Sequence, residues 1–415
     1  MRPLLPTAVL SLLFATALTS GISQTTETGA PLKTRELLSA GEKPLKIVCF
    51  GDSVTGLYYH TGGRRAYPEL LAEALREVHP DTSVTVINSG RSGHTTANGL
   101  GRIVSDVLTH RPHLVTIMFG LNDVAKLPIG AFRENLIDIV SKCRGIGAEV
   151  ILCTPNAVLT TTERPVEKVE AYAEVIRSVA RELQVPLCDT FASLDALRLS
   201  DPEAWRLSMS DEIHPNLRGH RRIAEALAGT ITGKEIASPD TSPVPDPLAM
   251  TLTKLQKGLP VKVLAMPPFD ASIAGILEKT HPGASIMTIP WPVENLTRYQ
   301  LKKDASHRVR PLVPDLVIIA IPRSAKAENN EEFINTQMWI ASNSLSRGKR
   351  EWDALVVHPD VFDPNDEDAD EADDNLIRAI VPAQDLPLLD RASGDDREAS
   401  EILSAWILDV GKAAN

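Results

Sequence analysis

The chain has 415 residues, more than the roughly 100–200 of one domain, so we expect two domains. Its net charge of −11 excludes nucleic-acid binding, which needs a surface rich in lysine and arginine, and opposes binding to an anionic membrane. Aromatic residues make up only 4%, so no broad stacking platform for sugars or bases is expected.

The N-terminus is typical of a secretory signal peptide. Met1 and Arg2 give a positive start, an apolar run covers residues 4–18, and small residues follow up to Ser23. This layout predicts a signal peptide over residues 1–23 and export to the periplasm or the medium. A membrane anchor is the alternative, but it needs about 20 apolar residues, and this run is shorter and broken by Pro6. No later segment is long and apolar enough to span a bilayer, so no span is expected once the signal is removed.

Residues 24–43 are polar and predict an exposed lead-in, and a regular alternation of strands and helices follows. The predicted buried strands are short apolar runs rich in β-branched residues, at 45–50, 84–87, 114–119, 150–153 and 185–188. Segments with helical spacing of apolar residues lie between them. We therefore predict a first domain over 44–232 of class α/β, a three-layer α/β/α sandwich with a parallel sheet. Functional sites of such folds lie at the carboxyl ends of the strands.

A proline-rich linker is predicted over residues 233–260, after which the same order of elements resumes. Residues 262–266 resemble 46–50 in position and character, and four later pairs continue the correspondence: 314–319 with 112–117, 333–347 with 132–145, 352–359 with 148–155, and 380–390 with 183–189. The segment 296–310 gives no clear pattern. The order predicts a second, similar but degenerate α/β domain over 261–412.

Two other features carry weaker signals. The acidic run 360–374 predicts a solvated loop, and the alternative of a calcium site lacks the glycine of an EF-hand loop. The four cysteines match no zinc or redox spacing. Cys153 and Cys188 are placed on neighbouring strands, which leaves a disulfide between them open.

Groups that can react or donate hydrogen bonds follow three predicted strands and would therefore meet at one edge of the sheet. Ser53 ends the segment 50–53, where a preceding glycine allows the tight turn that exposes a hydroxyl. Gly93 lies in a glycine-rich connection whose backbone N–H can approach a ligand closely. Asn122 offers a side-chain NH₂ group, and the adjacent Asp123 is predicted to cap a helix. Each feature alone is also typical of an ordinary turn, connection or cap.

A histidine with a matching carboxylate precedes the last helix of the first domain. Asp211 and His214 are three residues apart and can face each other within one turn. The carboxylate then fixes the imidazole tautomer, and the other ring nitrogen faces the serine.

These segments together resemble the SGNH hydrolases, also called GDSL-type esterases, over residues 44–232. The resemblance implies a flavodoxin-like fold with Ser53 as nucleophile, His214 as base and Asp211 as its partner. It also implies an oxyanion hole made by Ser53, Gly93 and Asn122, with no metal and no cofactor. One departure is minor, since the leucine that often follows Gly-Asp-Ser is Val54 here.

Other hydrolase motifs fail on spacing. The nucleophile elbow Gly-x-Ser-x-Gly is absent, because residues 90–93 read Gly-Arg-Ser-Gly, and no phosphate-binding loop is present. His60 and His94 are rival bases, but neither has an aspartate at the Asp-x-x-His spacing. We expect both to line the cleft.

The expected function is hydrolysis of a carboxylic ester through an acyl-serine, with an acetyl ester of a carbohydrate as the favoured substrate. A lysophospholipase- or thioesterase-like activity, acyl transfer, and a non-catalytic exported binding protein are the alternatives. In the second domain, Phe269 falls at the position of Ser53 and Ser324 near that of Asn122, and no Asp-x-x-His follows Asp390. We therefore expect the second domain to be non-catalytic, because it lacks a nucleophilic hydroxyl.

Overall fold

The computed structural model describes residues 32–237, 246–364 and 369–413, which form two five-stranded sheets flanked by helices. The predicted signal peptide lies outside the described residues. Among the described helices, none combines the length and apolarity needed to cross a bilayer.

The first sheet is parallel throughout, with the strand order β2-β1-β3-β4-β5. Its strands are nearly continuous apolar runs because helices cover both faces. The strands are β1 (Leu45–Gly51), β2 (Val84–Gly90), β3 (Leu114–Met118), β4 (Glu149–Cys153) and β5 (Leu187–Cys188).

Ten helices accompany the first sheet, and the predicted apolar stripes face inward. The helices are α1 (Lys33–Ala40), α2 (Ser53–Gly56), α3 (Tyr67–Val78), α4 (Thr96–Asp106), α5 (Leu121–Lys126), α6 (Ile129–Gly145), α7 (Val166–Leu183), α8 (Thr190–Ser200), α9 (Pro202–Arg206) and α10 (Leu217–Thr232). One layer contains α1, α3 and α10, and α4, α6 and α7 pack side by side in the other. The three-layer α/β/α prediction is confirmed for this part of the chain.

The second sheet repeats the topology of the first. Its order is β7-β6-β8-β9-β10, again parallel throughout, so each strand occupies the place of its counterpart five strands earlier. The strands are β6 (Val261–Ala265), β7 (Ile286–Pro290), β8 (Leu316–Ile319), β9 (Asp353–Val357) and β10 (Leu388–Leu389). The flanking helices are α11 (Ala249–Gln256), α12 (Phe269–Thr280), α13 (Arg298–Leu312), α14 (Asn330–Asn343), α15 (Pro359–Phe362), α16 (Glu371–Ala383) and α17 (Ala399–Ala413). The segment without a clear pattern is thus mostly α13.

Strand register relates positions in the two halves. Ile47 pairs with Leu114, and Val263 pairs with Leu316 in the same way. Counting forward from the first member of each pair, Ser53 and Phe269 occupy equivalent positions, each beginning a helix.

The same register places Ser324 at the position of Asn122. Val84 and Ile286 are also equivalent, which places Asn295 at the position of Gly93. Both of these residues have a left-handed backbone, with φ of 74° and 58°.

The exposed lead-in predicted over 24–43 is wrong for residues 33–40, which form α1. Leu38 is buried in the first core, and Thr34 donates from its backbone and hydroxyl to the Glu149 carboxylate at 2.8 and 2.6 Å. A polar segment can thus pack through one apolar side chain and one strand-end carboxylate.

The extended linker predicted over 233–260 is wrong for residues 249–256, which form α11. Leu252 and Leu255 enter the second core, and the Asp353 carboxylate accepts from the backbone N–H of Thr251 at 2.7 Å. Residues 238–245, the proline-rich centre of that prediction, lie outside the described residues.

The acidic run 360–374 is not a solvated loop at its two ends. Asp360 lies in α15, Asp374 lies in α16, and both carboxylates bind the Arg323 guanidinium. The arginine comes from the loop after β8, so the sequence of the acidic run alone could not predict these ion pairs. Residues 365–368 lie outside the described residues.

All four cysteines are free and buried. Cys153 and Cys188 are register partners on β4 and β5, as their spacing suggested, but they carry no disulfide.

The two halves pack against each other through an interface that combines apolar contacts with ion pairs and hydrogen bonds. Leu207 joins Met338 and Ile380 in an apolar cluster. Beside it, the Arg206 guanidinium donates to both carboxylate oxygens of Glu331 at 2.7–3.0 Å. The segment that leads to Asp211 is therefore in contact with the second half.

Candidate active site

The turn after β1 places Ser53 at the start of α2. A Cβ on Gly51 would lie 2.1 Å from the Thr55 hydroxyl and 2.5 Å from the Met118 carbonyl, so only glycine fits there. The Asp52 carboxylate caps the helix by accepting from the Val54 N–H at 3.0 Å. Burial raises the pKa of Asp52 to about 7.

A closed turn before α10 carries Asp211 and His214. The Ser210 N–H donates to the His214 carbonyl at 2.8 Å. The Asn216 side chain caps α10 and donates to the Leu207 carbonyl at 2.8 Å. From the loop after β4, Asn156 donates to the Ile213 carbonyl at 3.0 Å. These bonds fix the backbone on both sides of the histidine.

A continuous relay joins the serine, the histidine and the aspartate. Ser53 Oγ lies 2.9 Å from His214 Nε2, and His214 Nδ1 lies 2.8 Å from Asp211 Oδ2. Asp211 Oδ1 accepts from the backbone N–H groups of Ile213 and His214 at 2.8 and 2.7 Å. The site residues predicted from widely separated parts of the sequence thus lie in direct contact.

The electrostatics favour a basic imidazole. Burial by itself disfavours the imidazolium, but the charge and hydrogen bond of Asp211 outweigh it and raise the pKa of His214 above its usual value. Burial also opposes ionisation of Asp211, yet His214, His60 and the bound N–H groups hold its pKa far below the usual range. The aspartate therefore stays ionised and orients the imidazole.

The side chain of Asn122 contacts the chain neighbours of the two other residues predicted to form an oxyanion hole. Its Nδ2 donates to the carbonyl of His94, which follows Gly93, at 3.1 Å, and lies 3.5 Å from a carboxylate oxygen of Asp52, which precedes Ser53. Gly93 has φ of 74°, a conformation that favours glycine. The three residues predicted to form the oxyanion hole thus follow β1, β2 and β3 at the carboxyl edge of the sheet.

Two arginines that sequence reasoning did not identify support this edge. Arg102 is 7% exposed, stacks on Phe50 at 4.4 Å, and donates to the carbonyls of Gly51 and Ser89 at 2.8 Å. It therefore ties the ends of β1 and β2 together. Neither Arg102 nor the second arginine, Arg164, belongs to a recognisable sequence motif.

The second arginine orients the amide of Asn122. Arg164 Nη2 lies 3.4 Å from Asn122 Oδ1, and Arg164 Nε donates to the Leu121 carbonyl at 2.8 Å. Because a cation faces the amide oxygen, the NH₂ group points the other way, towards His94 and Asp52.

The prediction that His60 lines the cleft is wrong. Its ring is 1% exposed and is stacked on the face of His214, with ring centroids 4.4 Å apart. His94 is half-buried, and its Nδ1 accepts from Arg102 at 3.2 Å. The tertiary contacts that bury His60 come largely from distant parts of the chain, so the local sequence gave no signal.

Asp123 differs in detail from the predicted cap. Its carboxylate accepts from the backbone N–H and the hydroxyl of Thr96 at 2.9 and 2.6 Å, so it holds the first residue of α4 rather than its own helix.

In each of two groups of side chains, three atoms of kinds that can bind a metal lie within 4.8 Å of one another; the groups are His60, Asp211 and His214, and His358, Asp360 and Asp390. In the first group the carboxylate is bound by His214, and in the second Arg378 donates to both carboxylates at 2.7 Å. Both groups are thus held by ion pairs and hydrogen bonds within the protein.

An open pocket of about 340 Å³ borders the relay, between residues 161–164 and residues 211–213. Arg164 and Asp211 lie in its wall, whereas Ser53 and His214 are not among the residues that line it.

Comparison with known proteins places this site in a family. A sequence model described as the GDSL-like Lipase/Acylhydrolase family matches residues 49–222. The acetylxylan esterase of Geobacillus stearothermophilus is 28% identical over 215 residues, which cover 46% of this chain and 94% of that protein. The arylesterase of Vibrio mimicus is 31% identical over 193 residues, covering 46% of this chain and 90% of that protein.

Among solved structures, the lipase/acylhydrolase from Enterococcus faecalis is 25% identical and aligns with a TM-score of 0.39 over 47% of this chain and 99% of its own. The similarity to the arylesterase covers nearly that whole protein, and the family match spans the residues from β1 into α10. The chain therefore belongs to the GDSL-like lipase/acylhydrolase family and is a hydrolase of ester bonds.

Proposed function

We propose that the chain is a serine esterase in which Ser53, His214 and Asp211 form the catalytic triad. The observation that carries this proposal is the relay from Ser53 Oγ through His214 to Asp211, with both contacts under 3 Å. In this scheme His214 takes the hydroxyl proton as Ser53 attacks the ester carbonyl carbon, and a tetrahedral intermediate forms.

The oxyanion of that intermediate is held by the backbone N–H groups of Ser53 and Gly93 and by the Asn122 amide. His214 then protonates the leaving alcohol, which departs and leaves an acyl-serine. Water attacks the acyl-serine with His214 again acting as base, and the carboxylic acid is released.

The favoured substrate is a small acyl ester, in particular an acetyl ester of a carbohydrate. Two similar proteins bear the name acetylxylan esterase, which supports this choice. Another relative, in Escherichia coli, is named thioesterase 1/protease 1/lysophospholipase L1, so longer acyl chains and thioesters are the second candidate.

We also propose that residues 1–23 direct export, that residues 44–232 form the catalytic domain, and that residues 261–412 form a non-catalytic companion. The buried phenyl ring of Phe269 at the position of Ser53 supports the last assignment, since it offers no nucleophile. N-terminal sequencing of the mature protein tests export, and an intact residue 1 would contradict it.

The decisive experiment is hydrolysis of p-nitrophenyl esters by purified protein beginning at residue 25. Ser53→Ala should reduce kcat by about 10⁶-fold, as expected for loss of a triad nucleophile. Acyl chains of increasing length, acetylated xylo-oligosaccharides and an acyl-thioester distinguish the two substrate classes. Equal turnover by the wild type and Ser53→Ala would contradict the proposed function.

A further inference from the structure

The second half of the chain packs behind the candidate site, against the loop between α2 and α3 that carries His60. The Asp385 carboxylate accepts from Arg65 Nη2 at 3.0 Å and Nε at 3.2 Å, and also binds Arg64. Close by, the Arg350 N–H donates to the Gly63 carbonyl at 2.7 Å. The conformation of this loop therefore depends on the second half.

Within that loop the ring of His60 is held between the two halves. One face lies on His214, with an angle of 17° between the ring planes. Trp339 of α14 approaches it edge-on, with centroids 5.8 Å apart and an angle of 74°. Since the His60 ring is buried on both sides, it provides a fixed packing surface for the imidazole of His214.

Groups at both ring nitrogens of His60 bear on its tautomer, and the second half contacts one of these groups. Its Nδ1 lies 2.9 Å from the hydroxyl oxygen of Ser210. Gln384 Nε2 lies 3.5 Å from that oxygen and 3.2 Å from the Ser342 hydroxyl. The same NH₂ group donates to the Met338 carbonyl at 3.0 Å, and the Ser210 hydroxyl can donate its proton to His60 Nδ1. Because Nε2 faces the Asp211 carboxylate, which only accepts, the ring proton of neutral His60 is on Nε2.

That Nε2–H is aimed at the carboxylate of the relay. It lies 3.6 Å from Asp211 Oδ2, the oxygen that accepts from His214 Nδ1, and it has no hydrogen-bond partner among the described residues. Hydrogen bonds at catalytic sites are often long in the free enzyme and shorten when substrate binds. Burial keeps His60 neutral, lowering its pKa to about 3, so it acts as a donor and not as a competing base. The titratable and charged groups around it are Asp211, His214, His220 and Arg310.

We infer that His60 is a positioning residue for the Asp211–His214 pair and that the second half of the chain holds it in place. This inference rests on the proposed function. Stacking limits rotation of the His214 ring, and the Nε2–H keeps Asp211 Oδ2 in line with His214 Nδ1. The companion half thus contributes to the site without offering any group to the substrate.

The test compares His60→Phe with His60→Gln in the full chain. The phenyl ring keeps the stacking surface but has no N–H, whereas the glutamine amide can still donate to Asp211. We expect His60→Phe to lower kcat about tenfold, the lower end of what a hydrogen bond to a charged group contributes, with KM nearly unchanged. His60→Gln should recover most of kcat. His307→Gln, at an exposed histidine of α13, is the matched control and should match the wild type.

A second readout does not depend on turnover. In His60→Phe, Asp211 loses a donor and binds the imidazolium of His214 more tightly, so the pKa of His214 should rise. Histidine ¹⁵N NMR titration measures this directly, and the acid limb of kcat/KM should move to higher pH in parallel. Gln384→Ala, which alters the contact from the second half, should shift both in the same direction and remains informative if His60→Phe fails to fold.

The outcomes separate the inference from the proposed function. A folded His60→Phe or Gln384→Ala protein with the wild-type pKa of His214 overturns the inference, and so do His60→Phe and His60→Gln proteins with equal kcat. Absence of turnover and of fluorophosphonate labelling at Ser53 in the wild type would instead overturn the proposed function, while the NMR titration still decides the role of His60.

Discussion

The two sheets have one topology, yet within the part of the chain that the structure describes only the first has a serine, a histidine and an aspartate in contact at its carboxyl edge. Equivalent positions are Ser53 and Phe269 after the first strand of each sheet, and Asn122 and Ser324 after the third. Both edges keep a helix start at the first position. The comparison teaches that the sheet determines where the loops converge, whereas a few side chains determine whether the residues there can catalyse a reaction.

The largest contrast is expected at the equivalent positions Ser53 and Phe269. The Phe269 ring is fully buried, so Phe269→Ala should reduce the free energy of unfolding by about 3–5 kcal/mol. Ser53→Ala should remove turnover but change the stability by less than about 1 kcal/mol, since it removes one hydroxyl. Urea unfolding followed by circular dichroism measures both. Equal destabilisation by the two substitutions would contradict the contrast.

The next contrast is between Asn122 and Ser324. Asn122→Ala should lower kcat by about 10²–10³-fold, the usual loss for one oxyanion donor. Ser324 is exposed at the matching place in the second half, so Ser324→Ala should leave kcat unchanged. Steady-state kinetics with p-nitrophenyl acetate test the pair. A loss of less than threefold in Asn122→Ala would remove that residue from the site.

Acid should destabilise the protein through histidines buried near the candidate site. Burial lowers the pKa of both His60 and His220 to about 3. In the unfolded chain both bind a proton near pH 6.5, so below that pH each costs about 1.4 kcal/mol of stability per pH unit. Asp52, with its pKa raised to about 7, binds an extra proton in the folded state as the pH falls. This stabilises the folded state and offsets the cost of one of the two histidines down to about pH 4.

Together these three groups contribute a fall of about 1.4 kcal/mol per pH unit between pH 6 and pH 4. Urea unfolding at several pH values measures the slope, and His60→Gln should reduce it. A free energy of unfolding that rises towards pH 4 would contradict these assignments.

The smallest effect concerns the pH dependence of the rate. Only neutral His214 acts as base, and its pKa is raised, so kcat/KM should fall tenfold per pH unit below a midpoint above the ordinary value of about 6.5. Asp52→Asn keeps a capping side chain and removes only the charge that Asp52 carries above its pKa of about 7, so it should move the acid limb to lower pH by a small amount. Measurement of kcat/KM from pH 4 to 9 tests both; a flat profile to pH 4 would exclude His214 as base.

Much of the first half could be predicted because its signals are local. Buried strands gave continuous apolar runs, and the residues of the relay belong to short segments directly after strands or before a helix. The edge strand β7 was missed, since it is only partly buried and ends at Pro290, which leaves no apolar run. Helices α1 and α11 were missed because a few leucines and one distant carboxylate stabilise each of them.

The support of the site was not predictable for a different reason. Arg164 and His60 act through partners far away in sequence, such as the carbonyl of Leu121 and the ring of Trp339. No spacing rule connects residues that meet only when two packed halves form. Sequence thus located Ser53, Asp211 and His214, which lie in contact in the structure, while the residues that hold them came from tertiary contacts.

The binding of Arg64 and Arg65 by Asp385 has a thermodynamic consequence. The folded second half acts on the first as a ligand that is always present, because covalent attachment keeps its effective concentration high. Whatever binds only the native form stabilises it, so weakening the second half removes part of the stability of the first. A substitution far from Ser53, even on the far side of the second sheet, can therefore lower the fraction of molecules in which the second half holds the loop that carries His60.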